Sequence, residues 1–241
     1  VRTSAILEGD NYRVNGTKIW TTDAHRNDYI ICLVRTQPAE ENRHAGLSQI
    51  IIDLKRDGAK VRPIKNMAGG EDFNEVVFED VVVPKDRIVG EAGNGWAQVT
   101  SELAYERSGP ERFLSAFRVF VELVRFCGPE PTEYQATVIG RIASHIMTLR
   151  RMSISVAGML ESGKDVVVEA ALVKELGNNF EKLLPELARV VGSDGFSDFS
   201  RDGDLFRRTF EDTMLLSPSF TLRGGTREIL RGVIARGLGL R

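Results

Sequence analysis

The sequence predicts an α+β chain in two parts, a small antiparallel β-barrel or sandwich followed by an all-α four-helix bundle. Up to residue 89 the apolar residues fall in short β-branched runs broken by turn dipeptides. Beyond the glycine-rich stretch Gly90-Glu91-Ala92-Gly93-Asn94-Gly95 they recur at spacings of three and four to the end of the chain. The 241 residues suffice for two cores, and the change of period divides them at 1–90 and 91–241.

In the first part, residues 5–7 run into the turn Glu8-Gly9-Asp10-Asn11, and residues 12–14 into Asn15-Gly16, the strongest hairpin dipeptide. Further strands are expected at 18–22, 29–36, 47–54, 59–63 and 74–83. The stretch from Gly90 to Gly95 lacks both Gly-x-Gly-x-x-Gly spacing and a Gly-Lys-Ser/Thr, so it reads as a flexible linker rather than a phosphate loop. Helices are expected at 96–126, at 132–163 after Pro131, at 165–191, and from Gly224-Gly225 to 236. Residues 192–218 read as a long irregular connection, of a length that is usually functional or disordered.

Composition excludes several classes of function. With 32 Lys+Arg against 34 Asp+Glu the net charge is −2, leaving no basic field for nucleic acid. Apolar runs such as residues 30–34 are too short to cross a bilayer, and the first ten residues do not resemble a signal peptide. Cys32 and Cys127 form no Cys-x-x-Cys and suit a reducing cytoplasm. His25, His44 and His145 lack partners at ligand spacing, so no metal is expected.

Three features carry chemistry. The first expected helix has an apolar stripe at Trp96, Val99, Leu103, Pro110, Phe113, Phe117, Phe120 and Val124, and the position completing it is Glu106. Desolvation at such a position raises a carboxyl pKa, and Glu102 one turn earlier acts in the same direction. Pro110 has no N–H for the carbonyl four residues back, that of Glu106, so the helix is expected to bend there. The structural alternative for Glu106 is an ion pair with an arginine of another helix. The second feature is Leu222-Arg223-Gly224-Gly225-Thr226-Arg227-Glu228-Ile229. Its glycines permit close backbone approach, Thr226 can cap a helix, and the N–H groups suit an anion or a carbonyl oxygen; an ordinary helix start fits as well. Arg223, Arg227, Arg231 and Arg236 read as a solvated or intersubunit face. The third is Trp20-Thr21-Thr22 at a strand end, a flat ring with two hydroxyls, or equally a core aromatic.

These pieces, in this order, resemble the acyl-CoA dehydrogenase family of flavoenzymes over nearly the whole chain. Asn15-Gly16-Thr17-Lys18-Ile19-Trp20-Thr21-Thr22 is similar to the family's Asn-Gly-x-Lys-x-Trp-Ile/Thr-Thr/Ser strand. Phe73-Asn74-Glu75-Val76-Val77-Phe78-Glu79-Asp80-Val81-Val82-Val83-Pro84 is similar to its Phe-x-Glu-Val-x-Phe-x-Asp-Val-x-Val-Pro segment. Gly90-Glu91 with Gly93-x-Gly95-Trp96, and Gly225-Thr226-x-Glu228-Ile229, resemble the start of the C-terminal bundle and its closing signature. The resemblance implies an acyl-CoA dehydrogenase-like fold and FAD shared with a neighbouring subunit. The implied reaction is α,β-dehydrogenation of an acyl-CoA, with an electron-transfer flavoprotein as acceptor and a homo- or hetero-oligomer, a dimer or tetramer, as the assembly.

Many members carry the base at the position of Gly224, where this sequence has none. The isovaleryl-CoA and long-chain branches place it in a Leu-x-x-Glu-Arg stretch, which Leu103-Ala104-Tyr105-Glu106-Arg107 resembles. The resemblance therefore implies Glu106 as base and a Gly224 N–H on the thioester carbonyl. It implies Arg107 near the substrate, and Trp20, Thr21, Thr22, Gln135, Thr226 and Glu228 near the flavin cofactor. The family's N-terminal helical domain is missing ahead of Val1, so a fragment, a processed chain or half of a split enzyme is expected. Arg125 stands one place off the family's Arg-x-x-Phe-Gly, and Arg189-Val190-Val191-Gly192-Ser193 replaces its Gln-x-x-Gly-Gly. A non-catalytic subunit of a heteromer without stable flavin is the alternative. A relative oxidising another substrate, such as a nitroalkane, is a third reading.

Overall fold

The computed structural model describes residues 1–39, 41–192 and 201–240, with the backbone alone for Arg201. They form two compact units, Val1–Ser101 and Glu102–Arg241. A β-sheet unit precedes a helical one, the order that the change of period predicts.

In the first unit, β1 (Ser4–Glu8), β2 (Asn11–Thr22), β3 (Tyr29–Arg35), β4 (Leu47–Asp53), β5 (Lys60–Ile64) and β6 (Phe73–Pro84) make one sheet in the order β4-β3-β1-β2-β6-β5. Pairing is antiparallel except between β1 and β3, which meet in parallel at Ser4 and Arg35. The Gly9-Asp10 turn forms as expected, closed by the Glu8–Asn11 pair with Gly9 at φ +62°. Asn15-Gly16, by contrast, is no hairpin: β2 runs straight through it. Buried positions on β6 step from Val76 and Phe78 to Val81 and Val83, a change of phase that requires a bulge. Asn15 closes that bulge, donating from Nδ2 to Asp80 Oδ1 at 3.0 Å and accepting from the Asp80 N–H at 2.9 Å. Gly16 is required because a Cβ there would lie 2.7 Å from Thr3 Cα.

The glycine-rich stretch is not a loose linker either. The Gly93 N–H donates to Ser48 Oγ at 2.8 Å, Val89 N–H to the Gln49 carbonyl at 2.9 Å, and Gln98 Nε2 to the Val89 carbonyl at 2.7 Å. The polar backbone of this stretch is thereby tied to the outer edge of β4.

The helices are α1 (Gly95–Ser108), α2 (Phe117–Cys127), α3 (Glu133–Glu161), α4 (Val167–Val191), α5 (Arg201–Leu216) and α6 (Arg227–Gly237). The expected helix over 96–126 is thus two helices separated at 109–116, not one bent rod. The interruption resets the helical phase: Val119, Glu122 and Leu123 are buried on α2, whereas Phe117 and Val124 of the expected stripe are exposed. The bundle also holds a helix, α5, within the expected irregular connection. α5 buries Phe206, Thr209, Phe210 and Thr213 at helical spacing, and two threonines in that stripe conceal its period. Residues 193–200 of that connection lie outside the described residues.

Phe206 is fully buried and stacks on Phe126 with ring centroids 5.4 Å apart. Phe206→Ala should lower unfolding stability by about 3–5 kcal/mol in denaturant titration. A loss below about 1 kcal/mol would show that α5 contributes little to the core.

Candidate active site

The helical unit assembles its most unusual chemistry where α1 ends. Pro110 cannot donate to the Glu106 carbonyl, Gly109 is extended at φ −65°, ψ 153°, and Pro110–Arg112 continue as a single 3₁₀ turn. Arg112, on that turn, replaces the missing donor: its Nε donates to the Glu106 carbonyl at 2.9 Å and its Nη2 to Glu106 Oε1 at 2.6 Å. The Glu106 side chain is 37% exposed and that of Arg112 only 11%. The expectation of an acid desolvated among apolar neighbours is therefore corrected. Once the helix breaks, no continuous stripe encloses position 106, and a local guanidinium six residues on pairs with it.

Gly224 faces this carboxyl. Its φ of +64° suits glycine, and a Cβ there would lie 3.5 Å from Glu106 Oε1 and 3.6 Å from Arg107 Cγ. Arg107 donates from Nε to the Gly224 carbonyl at 2.9 Å, so this half-buried side chain holds the loop. Neither the Gly224 nor the Gly225 N–H is hydrogen-bonded among the described residues. A carboxylate, two available N–H donors and close backbone approach thus meet within one unit. Such an arrangement can take a proton and stabilise a developing oxyanion.

A second layer lies on α4 and was not foreseen from sequence. Glu181, fully buried, accepts from the Ser115 N–H at 2.9 Å and from Arg223 Nη2 at 3.1 Å. Arg223 also donates to Ser115 Oγ at 2.8 Å and sits 4.9 Å over the Phe220 ring. Lys174 is fully buried; its Nζ donates to Asn178 Oδ1 and to the Phe220 carbonyl at 3.1 Å. Desolvation brings its pKa down to about 8, opposed by Glu181 and reinforced by the Arg223 and Arg112 charges. The signal was available: Lys174, Asn178 and Glu181 recur at four and three on an otherwise apolar face. Three of the four arginines read as a solvated face are paired within the unit, Arg223 with Glu181, and Arg227 and Arg231 with Glu175.

The remaining candidates belong partly to the helical unit and partly to the sheet unit. Gln135 forms a capping box with Thr132 at the start of α3. Thr226 stands at the N-cap of α6 without capping the backbone; the Glu228 carboxyl is held below the usual range by its own backbone N–H and, after it, by the Thr226 hydroxyl. Arg125, off the family register, pairs with the buried Glu122 at 2.9 Å. Gly192 closes α4, and Ser193 lies outside the described residues. In the sheet unit Trp20 is not a core residue: it is 63% exposed at φ +64°, where the β2–β6 register shifts between Lys18 and Thr21. Asn74, fully buried, anchors this bulge by donating to the Thr21 carbonyl at 3.0 Å. Thr22, the last residue of β2, is exposed. Among the described residues no group of three His, Cys, Asp or Glu is placed to hold a metal ion, and no helix is long and apolar enough to cross a membrane.

Comparison with known proteins finds the family models for the acyl-CoA dehydrogenase middle domain over residues 1–81 and the acyl-CoA dehydrogenase C-terminal domain over residues 93–239. Two similar relatives are from Mycobacterium tuberculosis. The acyl-CoA dehydrogenase IpdE1 is 32% identical over 100% of this chain, and the acyl-CoA dehydrogenase FadE29 is 32% identical over 98% of it. The chain spans 62% of the length of each. Among solved structures, the ChsE4–ChsE5 complex from the same organism matches 100% of this chain and 65% of that one, at a TM-score of 0.80 and 27% identity.

The buried Lys174 gives a test by pH. Its folded pKa of about 8 lies below its ordinary 10.5, so between those values the unfolded chain binds more protons and stability rises with pH. Lys174→Met should remove that rise relative to the wild-type protein in unfolding experiments from pH 8 to 10.5. An identical slope in both proteins would overturn the assignment.

Proposed function

Because this chain belongs to the acyl-CoA dehydrogenase family, we propose that it takes part in FAD-dependent α,β-dehydrogenation of an acyl-CoA thioester, with Glu106 as the base. The observation that carries this reading is the approach of the Glu106 carboxyl to Gly224, where a Cβ would be 3.5 Å from Oε1. A proton α to a thioester is only weakly acidic, so its removal needs a placed carboxylate and donors for the charge that builds on the carbonyl oxygen. Glu106 Oε1 is held by Arg112, and Oε2 has no hydrogen bond among the described residues, leaving an oxygen to receive the proton. The Gly224 N–H is the donor we assign to the thioester oxygen. Glycine at 224 also keeps a second side chain out of the space beside Glu106.

The residues of the sheet unit fit a flavin. A non-glycine residue held in the left-handed region carries about 1–3 kcal/mol of backbone strain, a cost that clusters at functional sites; Trp20 is such a residue, its ring exposed next to the exposed Ile19 and the polar Thr21 and Thr22. When bound, FAD supplies an acceptor for the hydride from the β-carbon. Trp20 then offers an apolar face to the ring system, and the Thr22 hydroxyl a hydrogen bond to it. An electron-transfer flavoprotein as the onward acceptor, a cytoplasmic setting for the two free thiols, and a homo- or hetero-oligomeric assembly complete the proposal. The two-protein ChsE4–ChsE5 complex supports the heteromeric form.

In the flavin-loaded protein, Glu106→Gln should lower turnover of an acyl-CoA by about 10²–10⁴-fold, the usual worth of a general base, with visible flavin absorbance unchanged. Retained turnover would refute Glu106 as base. Trp20→Ala should lower the flavin content of the purified protein. If the unaltered protein is itself colourless and takes up no added FAD, the non-catalytic subunit becomes the better reading.

A further inference from the structure

We propose that Arg112 is the positioning residue of the Glu106 carboxylate: it fixes Oε1 beside Gly224 and leaves Oε2 as the oxygen that takes the proton. This rests on Glu106 being the base, and deepens that reading by naming what holds the base in place.

The argument begins with the chain break. A glutamate at the end of a helix turns freely about its side-chain bonds, whereas a base must be held near one geometry. Arg112 supplies the restraint through a two-ended contact, Nε on the Glu106 carbonyl at 2.9 Å and Nη2 on Oε1 at 2.6 Å. Both ends of the fork bind the same residue, so the backbone and the carboxyl of Glu106 are fixed relative to each other. Arginine is required for this, because a lysine ammonium is a single point and cannot hold two acceptors in a fixed plane. The carbonyl is available only because Pro110 lacks an N–H.

The fork is itself anchored. Gly177 on α4 lets the turn pack so closely that a Cβ at 177 would come 2.5 Å from the Arg112 carbonyl and 3.2 Å from Phe113 Cβ. With its side chain 11% exposed, Arg112 has little freedom to follow solvent. The charged groups facing the pair are Arg107 on α1, Glu111 on the turn, Lys174 on α4, and Arg223 beyond it, the last two also under the influence of Glu181. Glu111 is the rival for the guanidinium, but it stands 3.8 Å from Nε and its side chain is 55% exposed. Glu106 is therefore the preferred partner.

The test uses the flavin-loaded protein with Arg112→Gln, Arg112→Lys, Glu106→Gln and the Arg112→Gln/Glu106→Gln double variant. It measures kcat, KM, the rate of α-hydrogen exchange of an acyl-CoA in deuterium oxide, and the melting temperature. Arg112→Gln should lower kcat and the exchange rate together by about 10- to 100-fold, the range that misplacement of a catalytic group produces, with KM within about threefold of the unaltered protein. Arg112→Lys should show a smaller loss of the same kind. In the double variant, removal of Arg112 should cost nothing beyond the loss from Glu106→Gln. Unchanged kcat in Arg112→Gln, a change confined to KM, or an equal further loss in the double variant would overturn the proposal. If Arg112→Gln does not fold, Arg112→Lys decides by the same split of kcat from KM. An inactive Glu106→Gln beside an unimpaired Arg112→Gln removes only the positioning role, whereas an active Glu106→Gln removes the base.

Discussion

A proline has no amide hydrogen, and at position 110 that single absence organises the end of α1. The Glu106 carbonyl would otherwise accept from residue 110, and a carbonyl left unsatisfied in a partly buried setting costs about 1–3 kcal/mol. The chain meets this by ending the helix at Ser108 and turning through Pro110–Arg112, which brings a guanidinium back onto the orphaned oxygen. The side chain that satisfies the backbone then reaches the carboxylate as well. The helix interruption, the ion pair and the display of Glu106 are consequences of one constraint.

Charge buried under this site explains how the loop opposite is held. Glu181 is surrounded by the Ser115 N–H and the Arg223 guanidinium, which satisfy a carboxylate that has no solvent. Arg223 immediately precedes Gly224, so the contact that neutralises Glu181 also fixes where the glycine backbone begins. Arg107 secures the same glycine from the other side through its carbonyl. Lys174 binds the Phe220 carbonyl and anchors the approach to this loop from α4. Buried ion pairs add little net stability compared with apolar packing, but here they set the place of a backbone segment that has no side chain of its own to do so.

The sheet unit uses backbone irregularity for the same purpose. β2 and β6 shift register twice, at Asn15–Asp80 and again before Thr21. The first shift moves the buried phase of β6 so that Val81 and Val83 reach the core after Phe78. The second turns Trp20 outward at φ +64°, while Asn74 takes up the Thr21 carbonyl. An aromatic that alternation alone would have allowed inside is thereby displayed.

Much of this was legible before any coordinates. The change from alternating to helical periodicity separated a β part from an α part, and Pro110 after Glu106 marked the place of an irregularity, read as a bend where the chain in fact ends one helix and starts another. Four ordered motifs carried the resemblance to the family, and several of their residues serve local geometry: Asn15 and Asp80 close a bulge, and Gly16 admits the close approach of Thr3. Other features depended on contacts distant in sequence. Asn15-Gly16 is a hairpin signal that pairing with β6 overrides, and the glycine-rich stretch is tied down by β4 rather than left loose. α5 was hidden because two threonines interrupt the apolar residues of its buried stripe. Local sequence thus determined the period, the site of the irregularity at Pro110 and the candidate acid, since these follow from a few neighbouring bonds. Only the folded chain showed that the acid is half-solvated and pairs with Arg112 across the turn, and only the tertiary structure decided that it faces Gly224, because that last relation joins residues far apart in sequence whose meeting no spacing encodes.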